Sequence, residues 1–123
     1  MNLPHGQLNF AIRDEAIDAD TAVISLSGDV DMHTAPMLKR RMTELIHEGR
    51  RRFIVDLSQV AFIDSTAIGV LVGRRKDLLR RRGTIALVCS DENVLEIFEI
   101  AGLPALFEIH ESRERALEAR VHA

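Results

Sequence analysis

Residues 53–73 have the sequence FIVDLSQVAFIDSTAIGVLVG, in which a short apolar run, a polar triplet and a helical pattern follow one another. The run FIVDLS (53–58) is typical of a strand that is buried on both faces of a sheet. An apolar pair then presses the chain against the core, and the Asp-Ser-Thr triplet at 64–66 opens a helix. Apolar residues recur at helical spacing from 66 to 82, and Gly83 ends the pattern. A buried strand joined to a helix in this way is the unit that builds parallel sheets.

The sequence before this segment predicts a hairpin and a first helix. Two strands, Leu8–Glu15 and Thr21–Ser27, are separated by a polar turn around Asp18 to Asp20. Thr34 is then placed to cap a helix, and Gly49 is placed to end it. The apolar stripe of that helix comprises Ala35, Leu38, Met42, Leu45 and Ile46.

The sequence after the central segment repeats the strand and helix pattern. TIALVC (84–89) predicts another strand, and Ser90 is placed to cap the helix that follows and ends at Gly102. A short strand around Leu106–Ile109 and a last helix from Ser112 close the chain. The inward-facing residues predicted for the helix after Ser90 are Val94, Leu95, Phe98 and Ala101.

Length, composition and element order together predict the fold class. The 123 residues and their 46% apolar content fit one domain with a single core. We expect an α/β fold with a mixed sheet of about four to five strands and about four packed helices. We expect a single domain over residues 1–123, with its core at about 8–121. Because no apolar run is long enough to cross a bilayer and the first residues lack the order of a secretory signal, we expect a cytoplasmic protein without membrane insertion.

Charge and side-chain inventory argue against several functional classes. A formal net charge of -3 is a poor match for a nucleic-acid backbone, and the basic run at 74–82 has no aromatic to stack a base. Cys89 is the only cysteine, so an internal disulfide is excluded, and its apolar neighbours are typical of a small core residue. No histidines form a metal-spaced pair and no nucleophile lies beside a base, so we expect no metal, no cofactor and no catalysis. The histidines are His5, His33, His47, His110 and His122.

Two polar clusters interrupt the pattern of strands and helices. GDVDMHT (28–34) follows the second strand, and VAFIDSTAIG (60–69) contains the Asp-Ser-Thr triplet. Loops that leave the ends of parallel strands collect at one edge of the sheet, so we expect the two clusters to lie close together. Only one residue of the triplet can be the N-cap, which leaves at least one hydroxyl exposed at the positive end of a helix. Capping and phosphorylation are both compatible with the triplet, since a helix start tolerates a phosphate.

Two glycines lie within the helix that starts at the triplet. Gly69 and Gly73 are four residues apart and share one face, with Lys76 further along it. A glycine inside a helix costs about 1 kcal/mol relative to alanine, so both positions need a reason. The reason is close approach of a neighbouring backbone within the fold or of a partner protein.

These segments resemble the STAS family, specifically the bacterial anti-sigma factor antagonists, also called anti-anti-sigma factors. GDVDMHTAP (28–36) is similar to the family's Gly-acidic-x-Asp-x-x-Thr-Ala segment. Residues 53–73 are similar to its strand, apolar pair and Asp-Ser-Ser/Thr-Gly-x-Gly-x-Leu helix start. LEIFEIAGL (95–103) is similar to its third helix and Gly-Leu ending. The resemblance runs from the second strand to the final helix and implies a STAS-like domain.

The resemblance implies roles for particular residues. Ser65 falls at the phosphorylated serine, and Asp31 falls at the acidic position that contacts the partner. Thr66 stands where serine is commoner, which offers a second hydroxyl, and Ala67 stands where glycine is commoner. The residues expected to bind a partner are Asp29, Asp31, Thr34, Asp64, Thr66, Gly69 and Gly73.

The resemblance also implies a partner-switching cycle. The unmodified protein binds an anti-sigma factor that has ATP-dependent serine kinase activity, which frees a sigma factor and so regulates transcription. Phosphorylation of Ser65 ends binding, and a metal-dependent serine phosphatase restores the active form.

Three other functional classes make different demands on the sequence. A phospho-aspartate receiver could use Asp56, but the two lysines, Lys39 and Lys76, both lie in predicted helices rather than at a strand end. An enzyme could use Asp56, Asp64 and a histidine, but the sequence contains neither a nucleophile–base pair nor a cluster of metal ligands. A STAS subunit of a lipid-transport ATPase complex shares the fold and need not be phosphorylated, and it stays open as the alternative.

Overall fold

The computed structural model describes residues 9–121, with side chains as far as Ala119. Within this range one sheet has the strand order β1-β2-β3-β4-β5. Strand β1 is antiparallel to β2. The four strands from β2 to β5 are parallel to one another. The strands are β1 (Phe10–Ala16), β2 (Thr21–Val30), β3 (Arg52–Ile63), β4 (Thr84–Val88) and β5 (Glu108–His110).

The helices follow the strands in alternation after β2. They are α1 (Ala35–His47), α2 (Ser65–Arg80), α3 (Glu92–Ile100) and α4 (Arg113–Val121), with a 3₁₀ turn at Leu103–Ala105. A mixed sheet of five strands and four helices over residues 9–121 confirms the predicted fold class, and the β1–β2 pairing confirms the predicted hairpin. Leu8, the predicted start of the first strand, lies outside the described residues, as do His5 and His122.

Helices cover both faces of the sheet unequally. Val55 and Leu87, which are neighbours in the β3–β4 register, belong to the large cluster that includes the buried residues of α1, α2 and α3. Ile54 points the opposite way and packs in a smaller cluster with Ala116 of α4. Because both faces of the central strands are covered, FIVDLS is apolar in nearly every position.

The helix α1 forms as its sequence predicts. All five residues of the predicted apolar stripe are buried against the sheet. Gly49 adopts a φ of +104° just past the helix end, where its amide donates to the carbonyl of Ile46 at 3.0 Å. A residue without Cβ takes this left-handed conformation at little cost, which stops the helix at this point.

Strands β2 and β3 run past their predicted ends at Ser27 and Ser58. The β2–β3 register shifts near Gly28, whose φ is +86° and whose absent Cβ would lie 2.1 Å from the carbonyl oxygen of Asn9. A bulge of this kind adds a residue to one strand and bends it, so pairing resumes beyond the irregularity. The extra length carries both strands to the edge of the sheet where the polar clusters lie.

The ends of α2 differ from the prediction. The helix begins at Ser65 rather than Thr66, and it ends at Arg80 rather than Arg82. Arg82 has a φ of 62°, which is incompatible with a continuing helix. Of the two adjacent leucines near the end of the helix, Leu78 is buried and Leu79 is 53% exposed.

The third helix differs from the prediction at both ends. Asp91, not Ser90, is the N-cap, since its carboxylate accepts from the amides of Asn93 and Val94. Ala101 was predicted to face inward but is exposed at the helix C-cap. The short strand that follows lies at 108–110, slightly later than the predicted 106–109. None of the helices within residues 9–121 has the length and apolar content needed to span a membrane.

Candidate functional site

The loops after β2 and β3 meet at one edge of the sheet. Val30 and Ile63, the last residues of the two strands, are partners in the parallel register. The amide of Asp64 donates to the carbonyl of Val30 at 3.1 Å, and the amide of Met32 donates to Oδ2 of Asp64 at 3.1 Å. The two polar clusters are therefore adjacent, as the sequence predicted. We call residues 29–34 and 62–66 the Ser65 site.

Asp64 joins the two loops and starts the helix α2. It is the N-cap, with extended backbone angles, and its Oδ1 accepts from the amide of Ala67 at 3.0 Å. Since Oδ2 accepts from Met32, each carboxylate oxygen holds a different segment. Asp64 is half-buried, so its main contribution is to fix the position of the residue that follows it.

Ser65 and Thr66 are the first two residues of α2, and both side chains are exposed. Asp64 takes the capping role that the sequence left open among the three polar residues. Within residues 9–121 neither the Ser65 nor the Thr66 hydroxyl makes a hydrogen bond. Two unused hydroxyls therefore stand at the positive end of a sixteen-residue helix.

Asp31 organises the loop between β2 and α1. Its Oδ1 accepts from the amide of His33 at 2.8 Å and from the amide of Thr34 at 3.2 Å, while its own amide donates to Oγ1 of Thr34 at 2.9 Å. Hydrogen bonds to the carboxylate, above all the one from the His33 amide, hold the pKa of the Asp31 carboxyl below its ordinary value. The group is therefore ionised at neutral pH. The Asp31 carboxylate is therefore part of the hydrogen-bonded framework of its own loop.

Thr34 and Asp29 shape this loop from the inside. Thr34 is only 2% exposed, and its hydroxyl donates to the carbonyl of Asp29 at 2.8 Å. Its side chain makes no capping bond to the first turn of α1, although it occupies the N-cap position. The expectation that the Thr34 side chain caps α1 is therefore wrong, because its buried hydroxyl bonds within the loop instead. Its contact with a partner stays a prediction. The side chain of Asp29 is half-buried, and its amide donates to the carbonyl of Asn9 at 2.7 Å.

Gly69 and Gly73 face open space. A Cβ built on either residue would meet no atom within 4 Å outside the helix's own backbone. Close approach of another part of the fold is therefore not the reason for these glycines, and close approach of a partner protein stays a prediction. The residues that line a shallow groove between α1 and α2 are Lys39, Thr66, Gly69, Val70, Gly73 and Arg74. The groove begins at the Ser65 site and runs along α2.

Two exposed apolar side chains belong to the Ser65 site, and sequence reasoning missed both. Met32 is 63% exposed and Phe62 is 49% exposed. Phe62 was expected to press against the core together with Ile63, but adjacent residues of a strand point to opposite faces, and Ile63 is the buried one. Which of the two residues faces the core depends on the β2–β3 register, which shifts before this point and which the sequence alone does not reveal. Met32 has a weak signal, since it is the apolar residue of an otherwise polar loop.

The described residues offer no evidence of a metal site or a reactive thiol. Within residues 9–121 no three His, Cys, Asp or Glu side chains lie close enough to share a metal ion. Cys89 is buried just after β4, and desolvation raises the pKa of its thiol. A raised pKa keeps the sulfur protonated and poorly nucleophilic at neutral pH.

Comparisons with known proteins match this geometry to a family. A STAS domain family model matches residues 12–116. An anti-sigma-B factor antagonist of Listeria monocytogenes is 31% identical over 104 residues, which cover 83% of this chain and 90% of the relative. The crystal structure of an anti-sigma factor antagonist from Mycobacterium paratuberculosis superposes with a TM-score of 0.82 at 24% identity, covering 97% of each chain. The phosphorylated form of the Bacillus cell fate determinant SpoIIAA superposes with a TM-score of 0.72 at 23% identity, covering 89% of this chain and 98% of SpoIIAA.

Proposed function

This chain belongs to the STAS-domain family of anti-sigma factor antagonists, and we propose that it is a partner-switching regulator controlled by phosphorylation of Ser65. Relatives in this family are regulatory antagonists rather than enzymes, in agreement with the expectation drawn from the side-chain inventory. The unmodified protein binds an anti-sigma factor with ATP-dependent serine kinase activity, and this binding frees a sigma factor. The kinase modifies Ser65 and the complex separates, after which a metal-dependent serine phosphatase regenerates the binding form. The cycle takes place in the cytoplasm and within a single domain.

The observation that carries the proposal is the position of the Ser65 hydroxyl. Because Asp64 caps α2, Ser65 is not needed to start the helix, and its side chain projects from the first helical position into solvent. A phosphate placed there lies at the positive end of the helix dipole and near backbone amides of the first turn. Modification is therefore compatible with the intact fold, so it can change binding without first unfolding the protein.

The charges around Ser65 explain why phosphate would end binding. A phosphoserine carries about -1.5 to -2 charges at neutral pH. It would lie beside the half-buried Asp64 and close to the loop that holds ionised Asp31. A partner surface that is complementary to the unmodified site then meets an excess of negative charge, and like-charge contact at an interface costs several kcal/mol. Each 1.4 kcal/mol is about tenfold in affinity, so phosphorylation is expected to weaken binding by about a hundredfold or more.

The surface around the site supports protein binding rather than small-molecule binding. Met32 and Phe62 expose apolar area next to Ser65, and such anchors supply most of the energy in protein interfaces. Gly69 and Gly73 of α2 extend this surface, and the absence of their side chains allows another backbone to approach closely. We therefore place the anti-sigma factor across Met32, Phe62 and the groove between α1 and α2, with Asp29, Asp31 and Thr66 at its edge.

The test begins with an affinity pull-down from the source bacterium, followed by mapping of the phosphorylated residue. The kinase recovered in this way is then titrated calorimetrically with wild type, Ser65→Ala, Ser65→Asp and Thr66→Ala, with and without ATP. Ser65→Ala should bind as the wild type does and take up no phosphate. Ser65→Asp should bind at least about tenfold more weakly than the wild type, because it adds a negative charge beside Asp64. The loss should be smaller than that caused by phosphate, because one carboxylate carries less charge.

Thr66→Ala is the matched control, because it removes the neighbouring hydroxyl from the same helix start. It should still be phosphorylated and should still lose its partner on addition of ATP. If Ser65→Ala is still phosphorylated and Thr66→Ala is not, the phosphorylated residue is Thr66 rather than Ser65. Wild-type affinity in Ser65→Asp would contradict the electrostatic mechanism.

The alternative function is that of a STAS subunit in a lipid-transport ATPase complex. The antagonist names carried by relatives at 30% and 31% identity favour the proposal above. The same pull-down separates the two functions, since recovery of a permease and an ATPase subunit in place of a kinase would support the alternative.

A further inference from the structure

The second half of α2 carries a basic surface. Residues 74–82 contain six cations and one acid, Asp77, in a chain whose net charge is -3. The carboxylate of Asp77 already accepts from Arg80 and Arg81, at 3.1 and 3.3 Å. The side chain of Arg80 nevertheless stays 77% exposed, and Lys76 is exposed and forms no ion pair among the described residues. This end of the helix therefore presents positive charge to solvent.

An exposed apolar side chain lies within this basic surface. Leu79 is 53% exposed, and it follows Lys76 by three residues, so the two side chains are neighbours on one face of α2. Leu106, which is 38% exposed, lines a shallow groove together with Leu79. An apolar side chain in this position loses its contact with water only when another molecule covers it. We call Lys76, Leu79, Arg80 and Arg82 the basic patch.

The helix α3 has the opposite charge and a similar arrangement. The sequence from Gly83 to Ser112 contains six carboxylates and no lysine or arginine. Ile100 is 81% exposed at the end of α3. Three exposed acids of this helix form no ion pair among the described residues, namely Glu92, Glu96 and Glu99. We call these three acids and Ile100 the acidic patch.

The two patches are complementary in charge and in spacing. On α2, Lys76 lies about one turn before Leu79. On α3, Glu96 lies about one turn before Ile100. Packing of the two apolar side chains against each other would bring Glu96 next to Lys76 between parallel helices and next to Arg82 between antiparallel ones. An apolar contact surrounded by charges of opposite sign has the anatomy of a protein interface.

We propose that the basic patch of one molecule binds the acidic patch of a second copy of this chain. A second copy is the occupant that the charges favour, because one kind of contact then covers the exposed apolar side chains of both patches. A nucleic acid would leave Ile100 uncovered, and the basic patch has no aromatic side chain on which a base could stack. The contact is small and surrounded by charges, so the association is reversible and sensitive to salt.

The Ser65 site lies outside this contact. Leu79 follows Ser65 by fourteen residues on α2, which is about 21 Å along the helix axis. Self-association therefore leaves the Ser65 hydroxyl exposed, and it brings more than one Ser65 site into the same assembly. The inference does not rest on the function proposed for that site.

The experiment measures the mass of the full chain in solution. Sedimentation equilibrium is recorded from about 1 µM to about 1 mM protein, the range of weak dissociation constants. The salt concentration is set at about 10 mM and at about 1 M, between which the Debye length falls from about 30 Å to about 3 Å. At low salt, we expect the average mass to rise with concentration above the monomer mass of 13.8 kDa. At high salt, association should be at least about tenfold weaker.

Charge-reversal variants test the assigned surfaces. Lys76→Glu and Glu96→Lys should each weaken self-association about tenfold or more, because like charges then face each other. Both residues are exposed, so the melting temperatures should stay close to that of the wild type. An equimolar mixture of the two variants should associate again, since the first variant keeps an intact acidic patch and the second keeps an intact basic patch.

The matched controls are Arg40→Glu and Glu48→Lys, which reverse exposed charges outside both patches. They change the net charge by the same amounts as the test variants, and both should associate as the wild type does. The proposal is overturned if the chain stays monomeric at low salt, if the controls lose association as strongly as the patch variants, or if the mixture stays dissociated. Poly-glutamate and duplex DNA are titrated in parallel. A monomeric chain that binds either one through Lys76 would have a foreign acidic partner on this surface, which would also contradict the proposal.

Discussion

The residue that determines the geometry of the Ser65 site is Asp64, which holds the start of α2 through one carboxylate oxygen and the β2 loop through the other. Its neighbour Ser65 makes no hydrogen bond within residues 9–121. The structure therefore separates two roles that the sequence combined in a single triplet. Asp64 supplies the framework, and Ser65 supplies a hydroxyl that is free to react.

This separation predicts different stabilities for two alanine variants. Ser65→Ala should change the free energy of unfolding by no more than about 0.5 kcal/mol, as exposed surface substitutions do. Asp64→Ala removes an N-cap and should cost about 0.5–2 kcal/mol, with a further loss from the Met32 contact. Urea denaturation of both variants and the wild type measures the difference. A greater loss for Ser65→Ala than for Asp64→Ala would show that the serine hydroxyl is the true cap.

Asp31 makes a prediction about pH. Its folded pKa lies below the ordinary value of 3.8, mainly because the His33 amide donates to the carboxylate. The ionised group therefore contributes stability that is fully present above the unfolded-state pKa of about 3.9 and is lost as the pH falls through the folded pKa. Asp31→Asn keeps an oxygen acceptor for His33 and removes the charge. Wild type should lose more stability than Asp31→Asn between neutral pH and about pH 3.

The measurement is the urea midpoint of the two proteins at each pH. Comparison of the pair is needed because Asp14 also has a lowered pKa, from its hydrogen bond with Arg41, and both proteins share that contribution. Parallel pH profiles would mean that the charge of Asp31 has no influence on folding.

At the scale of elements, α2 carries glycines that the fold does not require. Gly69→Ala and Gly73→Ala should each raise the free energy of unfolding by about 0.5–1 kcal/mol, because alanine favours a helix and its Cβ meets open space. Both should reduce affinity for the anti-sigma factor, and Gly73→Leu should reduce it further.

Gly83 is the matched control for these variants. A Cβ at Gly83 would lie 2.5 Å from the carbonyl oxygen of Arg51, so Gly83→Ala should destabilise the protein. Thermal denaturation and partner titration of the four variants are the measurements. Loss of stability in Gly69→Ala would indicate an internal role for that glycine.

The elements also show which features the sequence could predict. The apolar stripe of α1 has a clear helical periodicity, and FIVDLS is a short apolar run next to a helix start; both formed the predicted elements. The continuation of β2 and β3 was not predictable, because the β2–β3 register shifts twice, between Ser25 and Ser27 and between Gly28 and Asp29. The cap of α3 was misassigned because Ser90 and Asp91 are adjacent and either could accept the first-turn amides.

At the scale of the whole molecule, the two polar clusters came together as predicted because parallel strands end at the same edge of a sheet. The roles of individual residues within the clusters were less predictable. Burial of the Thr34 hydroxyl and exposure of Phe62 depend on a loop path and a strand register that one sequence does not reveal. Family resemblance indicates Ser65 as the proposed acceptor, whereas the different roles of Asp64 and Ser65 become visible only in the structure.

The position of Ser65 predicts how the whole molecule responds to modification. Phosphorylated protein should keep its fold, and its melting temperature should not fall, since a phosphate at a helix start is favoured by about 0.3–1 kcal/mol. Amide chemical shifts should change within residues 29–34 and 62–70 and stay unaltered in α4. Calorimetry and NMR of both forms test this. Widespread shifts that reach α4 would mean that release of the partner involves a global rearrangement.

The attachment of Asp64 to the β2 loop also restricts which enzymes can modify Ser65. Many kinases read their substrates as extended peptides, but the proposed acceptor here is the first residue of a formed helix. Asp64, which precedes it, is hydrogen-bonded to Val30 and Met32 from another part of the chain. A synthetic peptide with the sequence of residues 58–72 lacks both of those contacts. We therefore expect a kinase that modifies Ser65 to recognise the folded surface rather than a linear consensus, and we expect a peptide-array screen to miss this residue.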